Sequence, residues 1–151
     1  MFSLGLVAVG MGSAYFHLNP TPVTLFWDRL PMAWCFATIL TLVLVDRTNS
    51  ASAVPLFLLI LVLSLLSVIV IDVGLSDLRP YIVVQFGLML MLLLLLMFYK
   101  GNMIPNNILL LMLSFYGLAK VFEIYDMKIH QQLIFISGHS LKHIAAAIAS
   151  A

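Results

Sequence analysis

Five residues near the two ends of the 151-residue chain have side-chain types and spacings that suit metal-assisted hydrolysis. His139 and His143 are four positions apart, so in a helix both rings project from one face. Ser13 and His17 have the same spacing, and Asp28 follows eleven positions after His17. Three imidazoles can hold zinc and leave a position for water, whose pKa then falls to about 7. Asp28 could accept the proton of that water, and Ser13 could donate a hydrogen bond to a developing oxyanion.

The composition indicates that these residues lie in a membrane protein. Hydrophobic side chains make up 64% of the chain and charged ones 9%, whereas soluble domains average about 45–50% and about 25%. Such hydrophobicity also excludes disorder. The formal net charge of +1 gives no indication of a nucleic-acid partner. Cys35 is the only cysteine, which excludes an internal disulfide and a cysteine-rich metal site.

The apolar runs predict six membrane spans, each needing about 20 apolar residues. All six prolines and ten of the thirteen charged residues fall at or beside the junctions, with Asp28 and Pro31 expected at the start of the second span. The alternation that barrel strands require is absent. We therefore expect an all-α, polytopic transmembrane helix bundle that forms a single integral-membrane domain over 1–151. The predicted spans cover roughly 1–18, 30–45, 54–73, 81–99, 107–125 and 129–149.

The polar residues concentrate near the two ends of the chain. The leucine-rich segment 54–98 is typical of lipid-facing scaffold. His17 lies where the first span ends, and four more crossings precede the last span, which therefore starts at the same membrane face. Lys120 and Glu123, three positions apart on the fifth span, are expected to pair with each other, or Glu123 with Lys142.

Each of these residues also has a plainer interpretation. Ser13 by itself is typical of a packing serine that donates back to a backbone carbonyl. Asp28 and Arg29 by themselves would form an ion pair at the membrane interface. The spacing of His139 and His143 is short, and by itself it does not decide between metal binding and hydrogen bonding inside the bundle.

Taken together, four stretches of the chain closely resemble the bacterial members of the alkaline ceramidase family. That family lies within a wider superfamily of seven-helix membrane hydrolases that includes the progestin and adipoQ receptors. The resemblance covers nearly the whole chain, and the combined motif is more specific than any single piece. The stretches are "GSAYFHLNPTPVTLFWDRLPMA" (12–33), "DLRPYIVVQF" (77–86), "AKVFEIYD" (119–126) and "SGHSLKH" (137–143).

The resemblance implies a zinc-dependent intramembrane hydrolase that cleaves the amide bond of a ceramide-like N-acyl lipid. Carried over to this chain, His17, His139 and His143 would hold zinc, Asp28 would activate the bound water and Ser13 would help polarise the carbonyl. The expected partners are a membrane lipid substrate and the bilayer, in a multi-pass protein of a bacterial inner membrane. Because the family has seven helices, this chain is expected to lack the first.

Two other classes of function are compatible with the same residues. A receptor-like or lipid-binding membrane protein would keep the zinc site without significant turnover, although Ser13 and Asp28 would then have no catalytic use. A bis-histidine haem protein would need axial histidines that face each other. It would therefore have to use His17 against one member of the late pair, and it would leave one histidine over.

Overall fold

Every element of the described structure is a helix, which confirms the all-α prediction. The computed structural model describes residues 2–48, 53–70, 79–133 and 137–150. The helices are α1 (Phe2–Leu18), α2 (Pro22–Thr48), α3 (Ala53–Val70), α4 (Arg79–Phe98), α5 (Asn106–Ile124), α6 (Asp126–Leu133) and α7 (Gly138–Ser150).

The chain divides into two compact units, Met1–Met103 and Ile104–Ala151. In the first unit, α2 is the central helix, because α1, α3 and α4 all pack against it, and α3 also packs against α4. In the second unit, α5 packs along α7, and the shorter α6 contacts both. The first unit thus carries Ser13, His17 and Asp28, and the second carries His139 and His143.

Helix α2 begins at Pro22, eight positions before the expected start of the second span. Thr21 caps it, because the Thr21 Oγ1 accepts a hydrogen bond from the Thr24 N–H (3.2 Å) while the Thr24 Oγ1 accepts one from the Thr21 N–H (2.9 Å). This reciprocal cap followed by proline at the first helical position is a strong start signal. The prediction that Asp28 and Pro31 stand at a junction is therefore wrong, since both lie inside α2.

The core of the first unit forms where α2, α3 and α4 meet. Ala33, Val68 and Tyr81 form one buried cluster, against which Leu25 and Phe26 pack. Large apolar side chains on the outer faces of α3 and α4 are exposed, for example Leu59, Leu63, Val83, Phe86 and Leu90. An outside of this kind is expected for helices that face lipid, in agreement with the interpretation of 54–98 as lipid-facing scaffold.

Polar contacts of the buried Asp46 hold the end of α2 to the loop after α4. The Asp46 Oδ1 accepts a hydrogen bond from the Met103 N–H (2.7 Å), and the Asn102 side chain donates to the Asp46 carbonyl. The Asp46 Oδ2 also lies 3.5 Å from Nη1 of Arg47, whose side chain is fully buried. Hydrogen bonds to a charged acceptor are stronger than neutral ones, so this cluster fixes the loop at 102–103.

Three of the described helices, α2, α4 and α5, are long and apolar enough to cross a membrane. Helix α1 and the stretch Val54–Ile69 are apolar but shorter. The span expected over 129–149 is interrupted, because Ser137 is not helical and α7 begins at Gly138; residues 134–136 of that range lie outside the described residues. The physical reason is that Ser137 starts a new helix, since its Oγ accepts a hydrogen bond from the Ser140 N–H (3.1 Å).

Candidate functional site

The first group of predicted site residues lies where α1 and α2 come into contact. Gly12 of α1 lies directly against the backbone of α2, and a Cβ added there would meet the carbonyl oxygen of Trp27 and lie 3.3 Å from the Cα of Asp28. Small residues allow this close approach of two helices. Ser13, the residue after Gly12, therefore lies at about the same height along the α1–α2 helix pair as Asp28.

Ser13 and His17 both lie in α1, one turn apart, as their spacing predicts. Ser13 is half-buried, whereas His17 is exposed in the last turn of the helix and its ring lies 5.4 Å from that of Phe16. Several hydroxyls in the described residues donate to a carbonyl three or four positions earlier, including those of Thr41 and Ser64. Among the described residues, the Ser13 hydroxyl does not make a hydrogen bond of this kind.

Asp28 is buried in the second turn of α2, with a relative exposure of 8%. Its Oδ2 lies 3.7 Å from the Nε of Arg29, which confirms the expected ion pair but puts it within a helix rather than at a helix start. A separation of 3.7 Å is too long for a hydrogen bond. Arg29 is therefore a charged neighbour of the Asp28 carboxylate but does not donate a hydrogen bond to it through Nε.

The second group of predicted site residues lies at the start of α7. Because Ser137 caps this helix, His139 falls in its first turn and His143 one turn later, at the expected spacing. The side chain of His143 is exposed, and that of His139 lies outside the described part of the structure. A Cβ added to Gly138 would meet the carbonyl oxygen of Phe122, so α7 begins in close contact with α5.

The polar residues of α5 behave as their spacing predicts. The Lys120 Nζ lies 2.9 Å from the Glu123 Oε2, in a half-exposed ion pair three positions apart. Lys142 is half-buried on α7. The structure thus confirms the pairing of Lys120 with Glu123.

The predicted site residues are divided between the two units of the chain. Ser13, His17 and Asp28 lie on α1 and α2, and the two late histidines lie on α7. Within residues 2–48, 53–70, 79–133 and 137–150, where the His139 side chain is not described, no three His, Cys, Asp or Glu side chains form a group that could hold a metal ion. The zinc site stays a prediction, as does the common membrane face of its two halves.

Two residues that contact Arg29 of the charged pair in α2 are not predicted from the sequence, Tyr81 and Met32. The guanidinium of Arg29 lies over the ring of Tyr81 in α4, 5.5 Å from its centroid. The Arg29 Nη1 and the Tyr81 hydroxyl both lie near the Met32 Sδ, at 3.7 and 3.8 Å. No sequence spacing links α2 to α4. The one feature of the sequence that could have indicated Tyr81 is that a tyrosine, with its polar hydroxyl, stands at the start of a largely apolar run.

The fold and these residues define an all-helical protein with helices of membrane-spanning length and a buried acidic residue at a helix contact. No known protein family, characterised protein or solved structure matches the chain.

Proposed function

We propose that the chain is a zinc-dependent intramembrane hydrolase that cleaves the amide bond of a ceramide-like N-acyl lipid. The observation that carries this proposal is the contact of Gly12 with the backbone of Trp27 and Asp28, which brings the α1 segment holding Ser13 and His17 against the α2 segment that holds the buried Asp28. An ionisable group inside an apolar helix is costly, and such groups in membrane proteins commonly have a function.

The donor set of the chain suits zinc. His17, His139 and His143 would hold the ion, since three imidazole nitrogens are a frequent ligand set of catalytic zinc. His139 and His143 are one turn apart on the described helix α7, a spacing that suits two ligands of one ion. When bound, zinc supplies a Lewis acid that polarises a carbonyl and lowers the pKa of water to about 7.

The remaining two residues would handle the proton and the developing charge. Asp28 accepts a proton from the attacking water, and its burial in α2 keeps this transfer away from bulk solvent. Ser13 donates a hydrogen bond to the amide oxygen as negative charge develops on it. Because Ser13 follows Gly12, which contacts the Asp28 backbone, both side chains would act on the same amide group of the substrate.

The surface of the chain supports a lipid substrate. Exposed apolar side chains cover α1, α3 and α4, including Leu4, Val7, Leu63, Phe86 and Leu90. A substrate that lies in the bilayer, with its amide bond just below the headgroup, would reach the α1–α2 contact from the side. We propose on this basis a multi-pass membrane protein with the lipid bilayer as its partner; the further proposal of a bacterial inner membrane rests on the resemblance to bacterial ceramidases.

Metal content and product release test the proposal together. The full chain is purified in detergent, its zinc is measured by elemental mass spectrometry, and fatty-acid release is followed with an N-acyl sphingoid base, an N-acyl ethanolamine and an ester. We expect one zinc per chain and release from the N-acyl sphingoid base. Asp28→Asn should keep zinc and lose about 10²- to 10⁴-fold in kcat, the contribution of a general base.

Histidine variants locate the metal. His17→Ala, His139→Ala and His143→Ala should each lose zinc, whereas the control His130→Ala, an exposed histidine of α6, should keep it. Purified protein without any metal would overturn the mechanism. Zinc without fatty-acid release from any of the three lipids would instead favour a receptor-like or lipid-binding protein.

A further inference from the structure

Arg29 is held by three contacts that lead from the proposed base, Asp28, into the core of the first unit. Its guanidinium lies over the ring of Tyr81, and its Nη1 lies 3.7 Å from the Met32 Sδ. Tyr81 is 4% exposed and belongs to the buried cluster between α2, α3 and α4. A cation above an aromatic face is attracted by the ring, more strongly where water is excluded.

The ion pair between Asp28 and Arg29 is not one that a helix makes by itself. Neighbouring positions on a helix are separated by about 100° around its axis, so their side chains do not face each other. The guanidinium nevertheless lies within ion-pair distance of the carboxylate and over Tyr81 at the same time. The contact with Tyr81 of α4, together with the Met32 sulfur one turn along α2, therefore holds the arginine where it reaches Asp28.

We propose that Arg29, braced by Tyr81 and Met32, is a positioning residue that fixes the Asp28 carboxylate in the orientation used for proton transfer. The inference rests on the proposed function, because it assigns Arg29 a role in the same reaction. Arginine keeps its charge at every relevant pH, and its stem and planar head allow it to contact both the ring and the carboxylate. Arg29 itself does not contact substrate in this proposal.

The test compares Arg29→Gln, Arg29→Lys and wild type in the full-length protein, by kcat, KM and zinc content. We expect Arg29→Gln to lower kcat by about 10- to 100-fold, a magnitude typical of residues that orient a catalytic group. KM should change by less than about 2-fold, and zinc should stay at one per chain. Arg29→Lys should recover part of kcat because it keeps a positive charge near the carboxylate and the ring.

A double-mutant cycle between Arg29 and Tyr81 distinguishes a positioning role of Arg29 from a general loss of protein stability. Tyr81→Leu removes the ring under the guanidinium, whereas Tyr81→Phe keeps it, so we expect the leucine variant to lose more of kcat. The double variant Arg29→Gln/Tyr81→Leu should lose no more than Arg29→Gln alone, because the ring acts through the arginine. A multiplicative loss would overturn the inference.

The outcomes distinguish this inference from the proposed function. If wild type releases fatty acid and Arg29→Gln keeps the wild-type kcat, the positioning role is wrong and the hydrolase proposal stands. If Arg29→Gln loses kcat and zinc together, its role is structural and the inference is also wrong. If wild type releases no fatty acid from any lipid, the proposed function falls and the positioning role with it.

Discussion

Gly12 of α1 lies against the main-chain carbonyl of Trp27 in α2, and this contact allows the two helix backbones to approach each other closely beside Asp28. No side chain larger than hydrogen fits at position 12 without moving a backbone, since the opposing atoms belong to the main chain of Trp27 and Asp28. Backbone atoms in a packed helix pair move together, so a methyl group here displaces α1 rather than one side chain.

The first prediction concerns this contact. Gly12→Ala should destabilise the protein by about 1–3 kcal/mol, the usual cost of inserting a methylene group into a packed site. Thermal unfolding in detergent, followed by the fluorescence of Trp27 and Trp34 in α2, measures the change. Gly10→Ala is the matched control, because a Cβ at position 10 meets no atom within 4 Å. In a helix that control should be neutral or gain stability. Equal effects at the two positions would contradict the close contact.

The second prediction concerns the start of α7. A Cβ on Gly138 would meet the carbonyl oxygen of Phe122 and lie 2.7 Å from the Cα of Asp126. Gly138→Ala should therefore move α7 away from α5 and lower the melting temperature, and on the proposed function it should also weaken zinc binding next to His139. Gly117→Ala in α5 is the control, since that position has no atom within 4 Å. Unchanged melting and metal content in Gly138→Ala would count against the prediction.

The third prediction concerns the cap of α7. The Ser137 Oγ accepts a hydrogen bond from the Ser140 N–H, so Ser137→Ala should cost about 1 kcal/mol of stability. Ser137→Asp should restore it, because aspartate also caps well and places negative charge at the positive end of the helix. Thermal unfolding of the three proteins gives the order. A Ser137→Asp variant no more stable than Ser137→Ala would argue against the cap.

The fourth prediction concerns the buried Asp46. Asp46→Ala removes an ion-pair partner of the fully buried Arg47 side chain and the acceptor of the Met103 N–H, so we expect a loss of about 3–5 kcal/mol. Asp46→Asn keeps an oxygen for the Met103 N–H and should lose less. Chemical unfolding in detergent measures both variants. An alanine variant as stable as wild type would show that the cluster does not hold the loop.

Much of the helical architecture follows from the sequence alone. The apolar runs predicted a helix end within about three residues of Leu18, Thr48, Phe98 and Ile124. This succeeds because prolines and charges interrupt apolar runs where the chain leaves a hydrophobic environment.

The errors arose where local chemistry was stronger than the hydrophobic pattern. The charges of Asp28 and Arg29 predict a junction between spans, but two charges that pair with each other can remain inside a helix when one of them also contacts an aromatic ring. The division of the last span depends on the cap at Ser137, which a count of apolar residues does not detect.

The candidate site was predicted in parts. Spacing correctly gave Ser13 and His17 one turn apart on α1, and His139 and His143 one turn apart on α7. The contact between Arg29 and Tyr81 was not predictable, because it depends on how α4 packs against α2. The contact of Gly12 was not predictable either. Gly12 and Gly10 are both glycines of α1, and only the packing of α1 against α2 places Gly12 against the neighbouring backbone and Gly10 away from it.

Pro31 gives the contact at Gly12 a further meaning. Proline has no N–H to donate, so the carbonyl four positions earlier, that of Trp27, lacks its regular helical hydrogen bond. The same carbonyl is the one that Gly12 faces. Gly12 and Pro31 therefore both act on the Trp27 carbonyl, one by leaving space for it and the other by leaving it without a helical donor. Among related chains we expect the glycine and the proline to be kept or replaced together.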